Sequence, residues 1–130
     1  MMTVDEEIEI DNQRLRVDYL SETDCFSFDE LCSVSSSIEL ILLWKMKKHV
    51  FSVYQNDLEL FPKFQFKNGE PISIISTLLK RMPADMSRWQ ITFWFASPNG
   101  FLGGQSPQAC LTKNSELVYA VDQESQEFYG

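Results

Sequence analysis

The sequence predicts an α+β fold: N-terminal strands, a helix-turn-helix and a β-hairpin in a winged-helix-like order, packed on a C-terminal bundle of about four helices. Three patterns predict it: apolar/polar alternation near the N-terminus, Ser-x-x-Glu/Gln spacings before apolar runs, and a β-rich middle segment. At 130 residues the chain has the length of one domain. We divide it into an α+β winged-helix-like region, residues 1–68, and a helical region, residues 69–130, which we expect to form one compact unit.

Each N-terminal element follows from a local pattern. The alternation predicts one or two strands with a turn at Asp11-Asn12; its apolar members are Ile8, Ile10, Leu15, Val17 and Tyr19. Ser27 and Glu30 have capping-box spacing, so a short helix is expected from about residue 28 to 34. After a serine turn, residues 38–48 favour a second helix. Residues 50–54 and 61–66 are rich in β-formers and predict a hairpin.

The C-terminal region looks all helical beyond Asn68-Gly69. Pro71 suits the first turn of a helix that Pro83 ends, and Ser87 with Gln90 repeats the capping-box spacing before a highly apolar helix. Pro107 opens a further short helix, and residues 115–128 favour a last one.

The net charge of −8 is concentrated at one end. Residues 1–30 hold ten acids and two bases, which is −8 by itself, so the remaining hundred residues are neutral overall. An acidic arm beside a mildly basic body would repel nucleic acid, fold over the basic part, meet a basic partner, or simply keep a small protein soluble. The sequence leaves these alternatives open.

Localisation follows from what the sequence lacks. No stretch reaches the ~20 apolar residues of a membrane span, and the acidic N-terminus is unlike a secretory signal. The three cysteines, Cys25, Cys32 and Cys110, have no metal-type spacing and suit free thiols. We therefore expect a cytoplasmic protein with no membrane partner.

The sequence contains few residues in patterns that support catalysis. His49 is the one histidine, so neither a zinc site nor a Cys–His nucleophile pair has a supporting motif. The glycine-rich stretch 99–104 lacks the lysine of a phosphate-binding loop. We expect no catalytic residues, no metal and no cofactor, and an enzyme only if folding brings His49 near Cys25 or Cys32.

A winged-helix DNA-binding regulator is the alternative that the helix-turn-helix pattern suggests. Its candidate nucleic-acid contacts are Lys45, Lys47, Lys48, Lys63 and Lys67. A sequence pI near 4.5 and a second helix made mostly of Ile, Leu and Trp both argue against this function.

Residues 61–120 resemble a known family. The motifs are Phe61-Pro62-Lys63-Phe64-Gln65-Phe66, Gly69, Pro71, Leu79, Trp89, Trp94-Phe95, Ser97-Pro98-Asn99, Leu102-Gly103-Gly104 and Ser106-Pro107. Together they resemble the C-terminal toxin-binding domain of the Xre/MbcA/ParS antitoxins.

The resemblance implies a bacterial toxin–antitoxin role in which the C-terminal helices bind and inhibit a partner protein, a toxin that attacks NAD or ADP-ribosylates a target. The implied contact residues are Asn99, Leu102, Gly103, Gly104, Ser106 and Pro107. The acidic N-terminal segment departs from the more basic front half of such proteins. A small protein whose role is to form a homodimer is the remaining alternative.

Overall fold

The computed structural model describes residues 3–129, and for residues 8, 11 and 127–129 it describes the backbone alone. The architecture is mixed α+β, as expected. The helices are α1 (Val4–Glu22), α2 (Phe28–Ser35), α3 (Ile38–Met46), α4 (Ser73–Arg81), α5 (Arg88–Ala96) and α6 (Asn114–Tyr129). The strands are β1 (Cys25–Ser27), β2 (Val53–Gln55), β3 (Leu58–Pro62), β4 (Phe66–Lys67) and β5 (Glu70–Pro71).

The expected N-terminal strands are wrong, because residues 4–22 form one helix. A capping box starts it: the Thr3 side chain accepts a hydrogen bond from the Glu6 backbone N–H, and the Glu6 carboxylate accepts one from the Thr3 N–H. The acids of the first turn stabilise the positive end of the helix dipole. The predicted turn at Asp11-Asn12 therefore lies inside α1.

The helix pair α2–α3 was predicted closely. Ser27 and Glu30 form the expected capping box at the start of α2. Ser36 adopts a left-handed conformation at the end of α2, and Ser37 caps α3 by accepting a hydrogen bond from the Leu40 N–H at 3.1 Å. Helix α3 ends at Met46, two residues before the predicted end.

The sheet differs from a simple wing. Strand β3 lies in the centre of an antiparallel sheet of order β1-β3-β2, so the short strand before α2 pairs with Leu60–Pro62. The β2–β3 turn consists of Asn56 and Asp57, both with positive φ. Strands β4 and β5 form a second hairpin around Asn68-Gly69, which places Pro71 in a strand rather than a helix. The specific winged-helix arrangement is not confirmed.

The C-terminal region contains three α-helices and two 3₁₀ turns, residues 100–102 and 107–109. Its core joins α4, α5 and α6, with Leu78, Phe95 and Leu117 fully buried. Phe51 from the N-terminal region belongs to the same cluster. No helix in the described part of the chain combines the length and apolar character needed to cross a membrane.

Candidate functional site

The segment between α5 and α6 forms a closed loop, residues 97–107, held by its own backbone. The Asn99 N–H donates to the Gln105 carbonyl at 3.0 Å, and the Asn99 carbonyl accepts from the N–H groups of Leu102 and Gly104, each at 3.0 Å. The Asn99 side-chain oxygen also accepts a hydrogen bond from the Phe101 N–H at 2.9 Å. Asn99 therefore fixes the loop through four hydrogen bonds.

The six residues predicted to contact a partner fall into two groups in this loop. Leu102 and Pro107 are buried and anchor it, Leu102 in the C-terminal core and Pro107 in the following 3₁₀ turn. Gly103 and Gly104 are exposed, with φ values of +66° and +85° and no atom near where a Cβ would stand. Asn99 and Ser106 are half-buried. The surface offered to a partner is therefore the glycine tip.

An exposed aromatic pair lies beside this tip. The rings of Phe101 and Tyr119 pack edge to face with centroids 5.4 Å apart, and the two side chains are 45% and 56% exposed. The sequence reasoning missed both. The sequence did indicate an outward position for Tyr119. The apolar residues Leu117, Ala120 and Val121 have helical spacing and share one face of α6, and Tyr119 lies off that face.

A pocket of about 360 Å³ borders the same loop. Its walls include Phe93 and Trp94 from α5, Asn99 from the loop, and Glu124 from α6. The indole N–H of Trp94 is buried and has no hydrogen-bond partner among the described residues. An unpaired buried donor of this kind costs about 1–3 kcal/mol of stability.

The five lysines predicted for nucleic acid are spread over several elements. Lys45 is engaged in an ion pair with Glu59, with a nitrogen–oxygen distance of 2.8 Å. Lys63 lies over the ring of Phe26, 4.8 Å from its centroid. Lys47, Lys48 and Lys67 are exposed.

A partly buried polar cluster joins α3, the sheet and α5. The Ser52 hydroxyl, itself buried, donates to Glu59 at 2.6 Å and accepts from Arg88 at 2.8 Å. Burial by itself would raise the pKa of Glu59, but the hydrogen bonds from Lys45 and Ser52 and the charges of Lys45 and Arg88 outweigh it and lower the pKa. The carboxylate is thus an internal counter-ion.

The histidine and the thiols lie in different surroundings. His49 borders a pocket of about 450 Å³ whose walls include Trp44, Glu70 and Ser73, but neither Cys25 nor Cys32. Burial, and to a lesser degree Asp24, raises the pKa of the Cys25 thiol to about 11, which keeps it protonated at neutral pH. In the part of the chain that the structure describes, no three His, Cys, Asp or Glu side chains group closely enough to hold a metal ion.

Comparisons with known proteins found no match: no family model fits the chain, and neither the curated proteins nor the solved structures include a significant relative. The geometry of the loop and its surroundings is therefore the basis for a functional proposal.

Proposed function

We propose that this chain is a non-catalytic binding protein that inhibits a partner protein, an antitoxin-like role, and that it does so through its C-terminal surface. The contact surface is the glycine tip of the 97–107 loop, the Phe101–Tyr119 pair and the pocket walled by Trp94. The observation that carries the proposal is the juxtaposition of a pre-formed loop with exposed aromatic side chains.

Pre-organisation supports this role. A loop that is already fixed by the hydrogen bonds of Asn99 loses little conformational entropy on binding. Gly103 and Gly104 leave the backbone uncovered, so a partner can approach closely there.

The aromatic pair supplies the apolar contact area. Tyr and Phe are enriched at interface cores, where a few aromatic side chains carry most of the binding free energy. The adjacent pocket, walled by Phe93, Trp94 and Glu124, would receive a partner side chain. Leu102 and Pro107 then act as supports and not as contacts.

The class of partner rests on the resemblance of residues 61–120 to antitoxin toxin-binding domains, which implies a toxin that consumes NAD. The proposal treats His49 and the cysteines as structural side chains, because the protonated Cys25 thiol and the separate His49 pocket offer no nucleophile–base pair.

DNA binding has less support. Lys45 is neutralised by Glu59, and the outward side chains of α3, the helix that would enter the major groove, are largely apolar. That function stays a prediction from the helix-turn-helix pattern, and homodimer formation likewise stays a prediction.

The test pairs the chain with a toxin of the NAD-consuming class encoded beside its own gene. We expect the wild type to bind that toxin and block NAD consumption. The double variant Phe101→Ala/Tyr119→Ala should raise the dissociation constant at least about tenfold, because each exposed ring contributes interface area. Calorimetric titration measures the affinity and a nicotinamide-release assay measures the inhibition.

Tyr54→Ala is the matched control, since Tyr54 is a 46% exposed aromatic residue on strand β2. The Tyr54→Ala variant should bind the toxin with the affinity of the wild type. If the double variant still inhibits the toxin fully, the proposed contact surface is wrong. A wild type that leaves the neighbouring toxin active would show that the function is wrong.

A further inference from the structure

The outward face of α3 is apolar and uncovered. Ile38, Leu42 and Met46 are 54%, 48% and 76% exposed, and Leu43 is 38% exposed. The opposite side of the same helix carries Ile41 and Trp44, which are buried in the N-terminal core. A nine-residue helix with apolar side chains on both sides is typical of a helix that is covered from both sides.

Helical geometry sorts these outward residues into two parallel lines. Positions four apart lie one above another, so Ile38, Leu42 and Met46 form a wholly apolar line. The neighbouring line is Glu39, Leu43 and Lys47, where Lys47 caps the end of α3 and donates its N–H to the Leu43 carbonyl at 2.9 Å. This line has a negative end, an apolar centre and a positive end, and Glu39 and Lys47 are both exposed. Lys45 lies on a third line, four residues after the buried Ile41, and its ammonium group is paired with Glu59.

This pattern is self-complementary under one symmetry operation. A two-fold axis through the middle of the face sets two copies of α3 antiparallel and places each line against its own counterpart in reverse. The apolar lines then meet along their length. In the charged lines, Leu43 meets its own copy and each Glu39 meets Lys47 of the partner subunit. Antiparallel helices also bring opposite ends of their dipoles together.

We propose that the α3 face is the interface of a symmetric homodimer, in which Ile38, Leu42, Leu43 and Met46 form the apolar core and two reciprocal Glu39–Lys47 ion pairs fix the antiparallel register. A second copy is the occupant favoured by the charges, because one acid and one base at opposite ends of the line fit the same line reversed. A nucleic-acid backbone offers neither an apolar surface nor a positive group for Glu39. The interface leaves the C-terminal surface out, so the proposal is independent of the proposed function.

The test is a charge swap read by sedimentation equilibrium at physiological ionic strength, where the long-range repulsion between two acidic chains is screened. The wild type should dimerise. Glu39→Lys or Lys47→Glu alone replaces two attractive contacts by two repulsive ones and should raise the dimer dissociation constant at least about tenfold. The double variant Glu39→Lys/Lys47→Glu restores both pairs and should return to within about threefold of the wild type.

Controls make the same charge changes elsewhere. Glu116→Lys on α6 and Lys113→Glu just before α6 alter exposed residues outside α3 and outside the pockets that α3 borders, so they should leave the dimer unchanged. Circular dichroism of all the variants checks that they remain folded.

A second measurement reads the two-fold axis directly. With Cys25, Cys32 and Cys110 replaced by alanine, Leu43→Cys should cross-link to its own copy on oxidation, while Ser115→Cys, at an exposed position on α6, should not. A wild type that is monomeric over the whole micromolar to millimolar range would overturn the proposal. A dimer that is indifferent to the single charge reversals, or that the double swap fails to restore, would also overturn it.

Discussion

Gln65 shows how one buried polar side chain fixes two segments of this chain. Its side-chain oxygen accepts a hydrogen bond from the Phe51 N–H at 2.7 Å, and its amide donates to the carbonyls of Phe51 and Pro62 at 2.9 and 3.1 Å. The residue is wholly buried. It therefore replaces the strand pairing that residue 51 lacks, and it holds Phe51 where the ring can enter the C-terminal core.

Replacing Gln65 by leucine tests this function. Leucine fills a similar volume but leaves the N–H and the carbonyl of Phe51 buried without partners, so we expect Gln65→Leu to lower the free energy of unfolding by about 2–4 kcal/mol. Urea denaturation measures the change.

Gln13→Leu is the control, because Gln13 is exposed on α1 and its substitution should change stability by less than about 0.5 kcal/mol. Equal stabilities for Gln65→Leu and wild type would mean that water replaces the side chain.

At the scale of the element, the sequence predicted helices best where a cap was considered and failed where one was overlooked. The boxes at Ser27 and Ser87 are both formed, and α2 and α5 begin at the residues after them. The same spacing exists at Thr3 and Glu6, but the prediction of strands rested on a short alternation of apolar residues and did not use it. Since four consecutive polar residues, 11–14, interrupt that alternation, the cap decides the structure of the segment.

The candidate site could be predicted only in part. The Gly and Pro residues of the 97–107 loop indicate turns, so the loop itself was expected. Sequence spacing could not show that Leu102 turns inward and Phe101 outward, because a 3₁₀ turn has no long periodicity to read. The pairing of Phe101 with Tyr119 is a tertiary contact between two elements.

Helix α1 depends on its last turns for attachment. Tyr19 is the one buried side chain described in α1, and its ring packs edge to face on Trp89 and Phe93 of α5 at centroid distances of 6.0 and 6.1 Å. The Arg16 guanidinium lies over the Trp89 ring at 5.4 Å. The acidic first turns bury no described side chain, so α1 is held at its C-terminal end.

Tyr19→Ala should therefore release α1 while leaving the body folded. We expect amide hydrogen exchange to lose protection over residues 4–22 and to keep it over α4 and α6, because isolated helices of this length are marginal in water.

Val17→Ala, an exposed position two residues away, should leave the exchange pattern unchanged. Equal protection of α1 in Tyr19→Ala and wild type would show that other contacts hold the helix.

At the scale of the whole molecule, buried clusters cross the boundary at residues 68/69. Phe51 stacks on Phe95 of α5, with centroids 5.1 Å apart and rings within 7° of parallel. A second cluster joins Tyr19 and Val53 to Trp89. Because both clusters take side chains from each region, we expect the two regions to unfold together.

Phe95→Ala tests this cooperativity. The Phe95 ring is fully buried, so we expect the substitution to lower the free energy of unfolding by about 3–5 kcal/mol. Calorimetry should show a single unfolding transition for both the wild type and the variant.

Phe101→Ala is the control and should change the midpoint temperature of unfolding little, since the Phe101 ring is exposed. Two separate transitions in the wild type would show instead that residues 1–68 and 69–130 are independent units.

The three tryptophans are distributed so that each occupies a different buried cluster: Trp44 with Leu31 and Phe61, Trp89 with Tyr19 and Val53, and Trp94 with Leu78 and Leu117. Indole emission shifts to longer wavelength when water reaches the ring. Three variants that each retain a single tryptophan would therefore report separately, by their emission wavelength, when water enters each of the three clusters.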